Sequence, residues 1–306
     1  MLPIVILRDI RKRFDTISVL YIADRIFMPD RLAALFEHFS LKAHAFQSGP
    51  LCGLNTIEKR GDLGQLHLIK EGNVEVWHGK KLAYKIDEPS LLLYPKPLTR
   101  SFVSAPNTGA HFICADVSFE GKEANPIVNA LPDSLCLPLS DLPHCQQVLN
   151  LLLEESAECY CGRQVLLDRL FEVLLVQLLR ELMEAGSIKV GMLAGLSDRR
   201  LRKALVSIHD NPEKEWTVDN LAAKCGMSRS VFSNLFRTTI GETPVRYLQR
   251  WRIGLVQKWL KEGQTLSLIS EEAGYQSESA LSRAFKTQIG LSPRQWLLNE
   301  KAKGDG

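Results

Sequence analysis

The sequence predicts an α+β protein in three parts: a small antiparallel β-barrel, a helical dimerisation and linker segment, and an all-α C-terminal domain with two helix-turn-helix units. Three observations predict it. Residues 51–120 break short apolar runs with glycines and prolines, as short strands do. Residues 164–185 are apolar around more than one helical stripe. The last hundred residues repeat one pattern twice.

Residues 1–27 read as an N-terminal extension, and MPDRLAALFEHF, from Met28, as a first helix. The barrel domain is assigned to 28–140, with strands at 51–57, 65–70, 73–77, 91–95, 99–104 and 110–119. Residues 141–195 form the helical segment, with helices at 143–160 and 164–185 and a linker from Gly186 to Gly195. On the second helix Leu167, Leu170, Leu174 and Leu178 fall in one line, which is expected to face a second subunit and make a homodimer. Residues 196–306 are the C-terminal domain.

In that domain TVDNLAAKCGMSRSVFSNLFRTTIG (217–241) and TLSLISEEAGYQSESALSRAFKTQIG (265–290) are two copies of one unit. Thr217 and Thr265 sit nine residues before Gly226 and Gly274. A threonine at that place caps a helix, and a glycine supplies the left-handed turn that ends it. Ser228 and Ser277 then cap a second helix, whose apolar positions 231, 232, 235 and 236 (280, 281, 284 and 285 in the other copy) are expected in the core. Pro244 and Pro293 open the helices that follow. The helix from Pro244 to Glu262 would hold the two units about one DNA turn, roughly 34 Å, apart.

Net charge is +3, unevenly spread. From Asp198 onward 18 Lys and Arg face 12 Asp and Glu, an excess of six, against a deficit of three in the remainder. A cationic C-terminal third suits a polyanion such as double-stranded DNA. No apolar run approaches the roughly 18–20 residues of a membrane span. The opening MLPIVILRDIRKRF puts its apolar stretch before its charges, the reverse of a signal peptide, so a cytoplasmic protein with no membrane partner is expected. Seven cysteines without an export signal argue against a disulfide framework, and Cys159-Tyr160-Cys161 lacks metal-site spacing.

WTVDNLAAKCGMSRSVFSNLFRTTIGETPVRYLQRWRI and GYQSESALSRAFKTQIGLSPRQW resemble the two motifs of the AraC family of transcription regulators, over about residues 198–300. The resemblance implies base contacts from Ser230, Ser233 and Asn234 in the first unit, with Arg229 and Arg237 toward phosphate. In the second unit it implies Glu278, Ser279, Ser282 and Arg283, with Lys286 near the backbone. Side-chain chemistry agrees for Arg283, which can pair with guanine, and for Asn234, which suits adenine.

QLHLIKEGNVEVWHGKKLAYKIDEPSLLLYPKPLTRSF resembles the cupin-like sensing domain of such regulators. The other functional class considered is a metal-dependent cupin enzyme fused to a DNA-binding domain. Catalytic cupins bind metal through a His-x-His pair, a carboxylate and a later histidine; here His67 stands alone and Arg100 takes the later place. Neither metal, cofactor nor catalytic residue is therefore expected. The signal is an unidentified small molecule or an oxidant, and for the latter Cys52 and Cys114 are the candidate sensing thiols, with no base evident near either.

Overall fold

The computed structural model describes residues 30–59, 61–121 and 125–304. The expected 1–27 extension lies outside them. Two compact units divide the chain, Met1–Ala33 and Ala34–Gly306.

Among the described residues a short helix α1 (Ala33–His38) leads into nine strands: β1 (Leu41–Leu51), β2 (Leu54–Ile57), β3 (Gly64–Glu71), β4 (Val74–His78), β5 (Lys81–Ile86), β6 (Ser90–Tyr94), β7 (Arg100–Ser104), β8 (Ala110–Phe119) and, after helix α2 (Pro126–Ala130), β9 (Leu135–Pro138). They make two antiparallel sheets, β1-β8-β3-β6-β9 and β2-β7-β4-β5. The expected barrel is thus a sandwich: β1 and β2, edges of different sheets, do not pair with each other. Ile69, Val74, Val76, Ile86, Leu92 and Phe112 fill the space between the sheets.

The sequence pattern missed β1, β5 and β9. In β1, LKAHAFQSGPL carries lysine, histidine, glutamine and proline, because one face and one edge of the strand are treated unlike the rest. Its edge is covered by a helix: Asp168 accepts from Ala45 N (2.8 Å), Glu172 from Ala43 N (3.4 Å), and Gln164 donates to Ala45 O (2.8 Å). An edge so covered cannot recruit a foreign strand.

Those residues belong to α4 (Arg163–Glu184), which follows α3 (Gln146–Ala157) in a helical hairpin. Leu167, Leu174 and Leu178 are at most 1% exposed, packed within the chain itself, and only Leu170 is half-exposed. The expected dimer line is corrected by this packing: it serves the chain's own core, where α4 lies on β1 and α3. Helical spacing identified the buried stripe but could not say which surface buries it.

The expected linker is also partly structured. α5 (Met192–Ser197) is buried, and Gly191 N donates to Thr239 O (2.9 Å), joining it to the C-terminal helices. These are α6 (Arg202–Asp210), α7 (Val218–Lys224), α8 (Arg229–Ile240), α9 (Pro244–Lys261), α10 (Leu266–Glu272), α11 (Glu278–Ile289) and α12 (Pro293–Gly304). No helix among the described residues is long and apolar enough to cross a membrane.

Candidate nucleic-acid interface

Each helix-turn-helix unit is set by its caps. Thr217 accepts from Asn220 N while the Asn220 side chain accepts from Thr217 N, a reciprocal cap on α7. Ser228, Thr243, Thr265 and Ser277 each accept from the amide three residues on, opening α8, α9, α10 and α11. Gly226 and Gly274 take positive φ (65° and 70°) at the two turns.

The two glycines are not equivalent. Open space surrounds Gly226, whereas a β-carbon at Gly274 would run into Glu213 O and the Arg252 guanidinium. Arg252 fixes that junction, donating to Pro212 O (2.7 Å), Lys214 O (2.8 Å) and Gly274 O (3.2 Å). Gly226→Ala should cost about 1–2 kcal/mol, the strain of the left-handed backbone alone. Gly274→Ala should cost clearly more and lower the cooperativity of unfolding, as read by chemical denaturation of both variants.

In each unit two side chains of the second helix anchor the core: Phe232 and Phe236 in α8, Leu281 and Phe285 in α11. The opposite faces are open. Arg229, Ser230, Asn234 and Arg237 are exposed and Ser233 is half-buried. In α11 Glu278, Ser279, Arg283 and Lys286 are exposed and Ser282 is half-buried. Every residue the resemblance singled out therefore lies on an accessible face of its helix. Val231 departs from expectation: it is 56% exposed rather than core, because it follows Ser230 on the open side of α8. A branched apolar group there can meet a thymine methyl. Arg229 is held by Asp219 of α7 (2.9 Å), but both side chains are well exposed, so the pair is weak and exchangeable for a phosphate.

α9 joins the units. Its 18 residues span about 27 Å. Tyr247, Leu248, Trp251, Leu255, Val256 and Trp259 are buried along it. His209 of α6 lies against Trp251 (ring centroids 4.1 Å apart) and meets the Tyr247 hydroxyl through Nε2 (2.7 Å). Burial pushes His209 down to about 3, so it is neutral there. On its other side Trp251 touches His38 and Phe39, and Lys258 donates to Glu37 O (3.4 Å). The segment before the sandwich thus packs on the helix that joins the two units. Nothing in the local sequence signals this contact, which joins residues some 210 positions apart.

Inside the sandwich lies a second polar assembly. Arg100 is 2% exposed and stacks on Tyr94, its guanidinium carbon 4.2 Å from the ring centroid. Nη1 donates to Leu98 O (2.7 Å), and Nη2 meets Gln65 Oε1 and His67 Nε2. A guanidinium only donates, so His67 Nε2 accepts and Nδ1 carries the proton. Nδ1–H then points to Cys114 Sγ, 2.9 Å away. The thiol was expected to lack a neighbouring base; it has His67 beside it. Burial nonetheless pushes the Cys114 thiol up strongly and His67 well down. Both histidine nitrogens are occupied, one by a cation, an arrangement hostile to a metal ion. No cluster of three or more possible metal ligands occurs among the described residues.

Cys52 is exposed, outside the sandwich core, beyond the end of β1, while Cys114 pairs with Gln47 in that strand's middle. The structure therefore does not bring the two candidate thiols together. Iodoacetamide should label exposed Cys52, Cys159 and Cys161 quickly and buried Cys114 and Cys145 only on unfolding, by mass spectrometry over a time course. Rapid native labelling of Cys114 would contradict the packing described.

Residues 30–184 match the cupin family and residues 221–299 the helix-turn-helix domain family. The chain is 36% identical over 181 residues to an AraC-like transcription regulator of Streptomyces lividans, 58% of this chain and 59% of that protein. It is 36% identical over 177 residues to the HTH-type transcriptional regulator AlkR of Acinetobacter baylyi, 56% of this chain and 58% of AlkR. The matches therefore span about three-fifths of these relatives' length. Similarity to RclR of Escherichia coli, an RCS-specific transcriptional activator, is 24% over 261 residues, 79% of this chain and 92% of RclR.

Proposed function

The chain belongs to the cupin family through its N-terminal half and to the AraC-type regulators through its paired helix-turn-helix units, and on that premise we propose that it is a sequence-specific, DNA-binding transcription regulator of the cytoplasm whose N-terminal domain senses the signal. One observation carries the reading: two capped helices of the same design, each with an open polar face, flank a single helix about 27 Å long.

In this reading α8 and α11 enter successive major grooves. Arg283 pairs with guanine, Asn234 with adenine, and Val231 meets a thymine methyl. Ser230, Ser233, Ser279 and Ser282 bond base edges, and Glu278 accepts from cytosine. Arg229, Arg237 and Lys286 neutralise phosphates and set the register. Selection from a random duplex pool tests this. Enrichment of two short motifs about 10–10.5 bp apart supports it, and recovery of unenriched sequence counts against it.

The homodimer reading moves to a new face. Tyr160, Val165, Leu166 and Val173 are exposed on the α3–α4 hairpin, beside a cleft lined by Leu151, Leu166 and Leu170. Apolar side chains grouped in this way mark an association surface, and we assign it to a second copy of this chain.

Sensing, rather than metal catalysis, fits the interior, where the buried Arg100 guanidinium sits against Nε2 of His67. For the signal we favour a small molecule over an oxidant acting at Cys114, since a thiol held protonated by burial reacts slowly. RclR's description as RCS-specific favours the oxidant alternative, with exposed Cys52 as its point of attack.

A further inference from the structure

The two helix-turn-helix units correspond residue by residue, and at one place they are opposite in charge. Ser228 and Ser277 cap the recognition helices α8 and α11. Behind the caps Ser230 corresponds to Ser279, Ser233 to Ser282, Asn234 to Arg283 and Arg237 to Lys286. The first helical residue, however, is Arg229 in α8 and Glu278 in α11. The units differ as wholes in the same sense. Residues 217–241 carry Lys224, Arg229 and Arg237 against Asp219, a charge of +2. Residues 265–290 carry Arg283 and Lys286 against Glu271, Glu272 and Glu278, a charge of −1.

Nothing in the fold employs the Glu278 carboxylate. In the first unit Arg229 is met by Asp219, which stands two residues past the Thr217 cap of α7 (2.9 Å). The same place in α10, two residues past the Thr265 cap, holds Ser267, which offers no charge. None of the ion pairs among the described residues includes Glu278. Its side chain is exposed on the open side of α11, with Ser282 one turn on and Lys286 two turns on, away from the buried Leu281 and Phe285. A glutamate in the first turn of a helix also favours the helix dipole. The Ser279 and Ala280 positions of the same turn would serve that purpose as well.

We propose that Glu278 makes the second unit selective by repelling any duplex that does not offer it an amine at a base edge. The inference rests on the regulator reading above and goes beyond it by dividing the work between the two units. Where Arg229 is drawn to a phosphate, a carboxylate in the corresponding place is pushed away by the same charge. It is accommodated only where a base edge donates to it, as cytosine N4 does in the major groove. Sequence without a motif therefore binds chiefly through the first unit, whose cations gain from phosphate anywhere along a duplex. Arg283 and Lys286 supply the attraction of the second unit, and Glu278 decides where that attraction can be used. Selectivity then arises from a penalty on wrong sequence as well as from contacts to the right one.

Fluorescence anisotropy of the full-length protein on its selected duplex and on a duplex lacking both motifs tests the inference. Glu278→Gln should bind the motif-free duplex about threefold more tightly, the scale of one carboxylate–phosphate repulsion through water. Its preference for the selected duplex over the motif-free one should fall about tenfold, the scale of one base-edge pair. Glu278→Arg, which copies the first unit, should add about one counterion to the salt dependence on motif-free DNA. Glu271→Gln removes an equal charge from an exposed position on α10 and should leave the preference unchanged. Unchanged or weaker binding of motif-free DNA by Glu278→Gln, or an equal gain in Glu271→Gln, would overturn the proposal. A lowered melting temperature in Glu278→Gln with both affinities unmoved would also overturn it and leave the glutamate a helix-stabilising residue. If the wild type selects no motif, the regulator reading itself fails. Intact selection with an unmoved preference in Glu278→Gln removes only this inference.

Discussion

Leu174→Glu is expected to abolish the folded N-terminal region rather than to yield a folded monomer. Leu174 is fully buried on α4. Removing a packed leucine costs about 2–5 kcal/mol, and a carboxylate left there without a partner adds further cost. The sum consumes much of the 5–15 kcal/mol that typically holds a domain together. Circular dichroism and thermal melts should show lost structure and a strongly lowered transition. Val165→Glu, on the exposed side of the same helix, should keep the fold and shift sedimentation from dimer to monomer. The opposite pattern, in which Leu174→Glu gives a folded monomer, would return the dimer line to Leu167, Leu170, Leu174 and Leu178.

The second large effect concerns DNA. Arg283→Ala should weaken binding to the selected site by about 1–3 kcal/mol, roughly tenfold to more than a hundredfold, and relax preference at one base pair. Lys286→Ala should weaken selected and random duplexes alike and reduce the salt dependence by about one counterion. Both side chains are exposed, so neither change should move the melting temperature by more than a surface substitution does. Titration by fluorescence anisotropy at several salt concentrations separates the two roles. Equal losses on both DNAs for Arg283→Ala would make it a phosphate contact.

The parts of this protein that were legible in its sequence are those whose determinants are local. Thr217, Ser228, Thr265 and Ser277 cap helices within three residues of themselves, and Gly226 and Gly274 announce their own turns. The repeat then made each copy confirm the other. Val231 was misplaced because a stripe of apolar spacing does not distinguish a core side chain from one kept exposed. β1 was missed because its register depends on β8, some 70 positions away, and its edge on Gln164, Asp168 and Glu172 of a later helix. The leucine line of α4 shows the same limit, since periodicity marks a buried face without naming its partner. Arg100 was legible as a departure from a metal site. Its burial, its orphan Nε and its contact with His67 emerge only when β3 and β7 face each other across the sandwich.

In the proposed function two recognition helices, joined by α9, read the same face of a duplex. The most direct measurement is affinity for the selected site as its two motifs are moved apart. Inserting about 5 bp, half a helical turn, places the second motif on the opposite face of the DNA. The account predicts that affinity falls to that of a single motif, and that a bend in α9 does not rescue it because Tyr247, Trp251 and Trp259 are packed along its length. Undiminished affinity with the longer spacer would contradict it and show two independently tethered units.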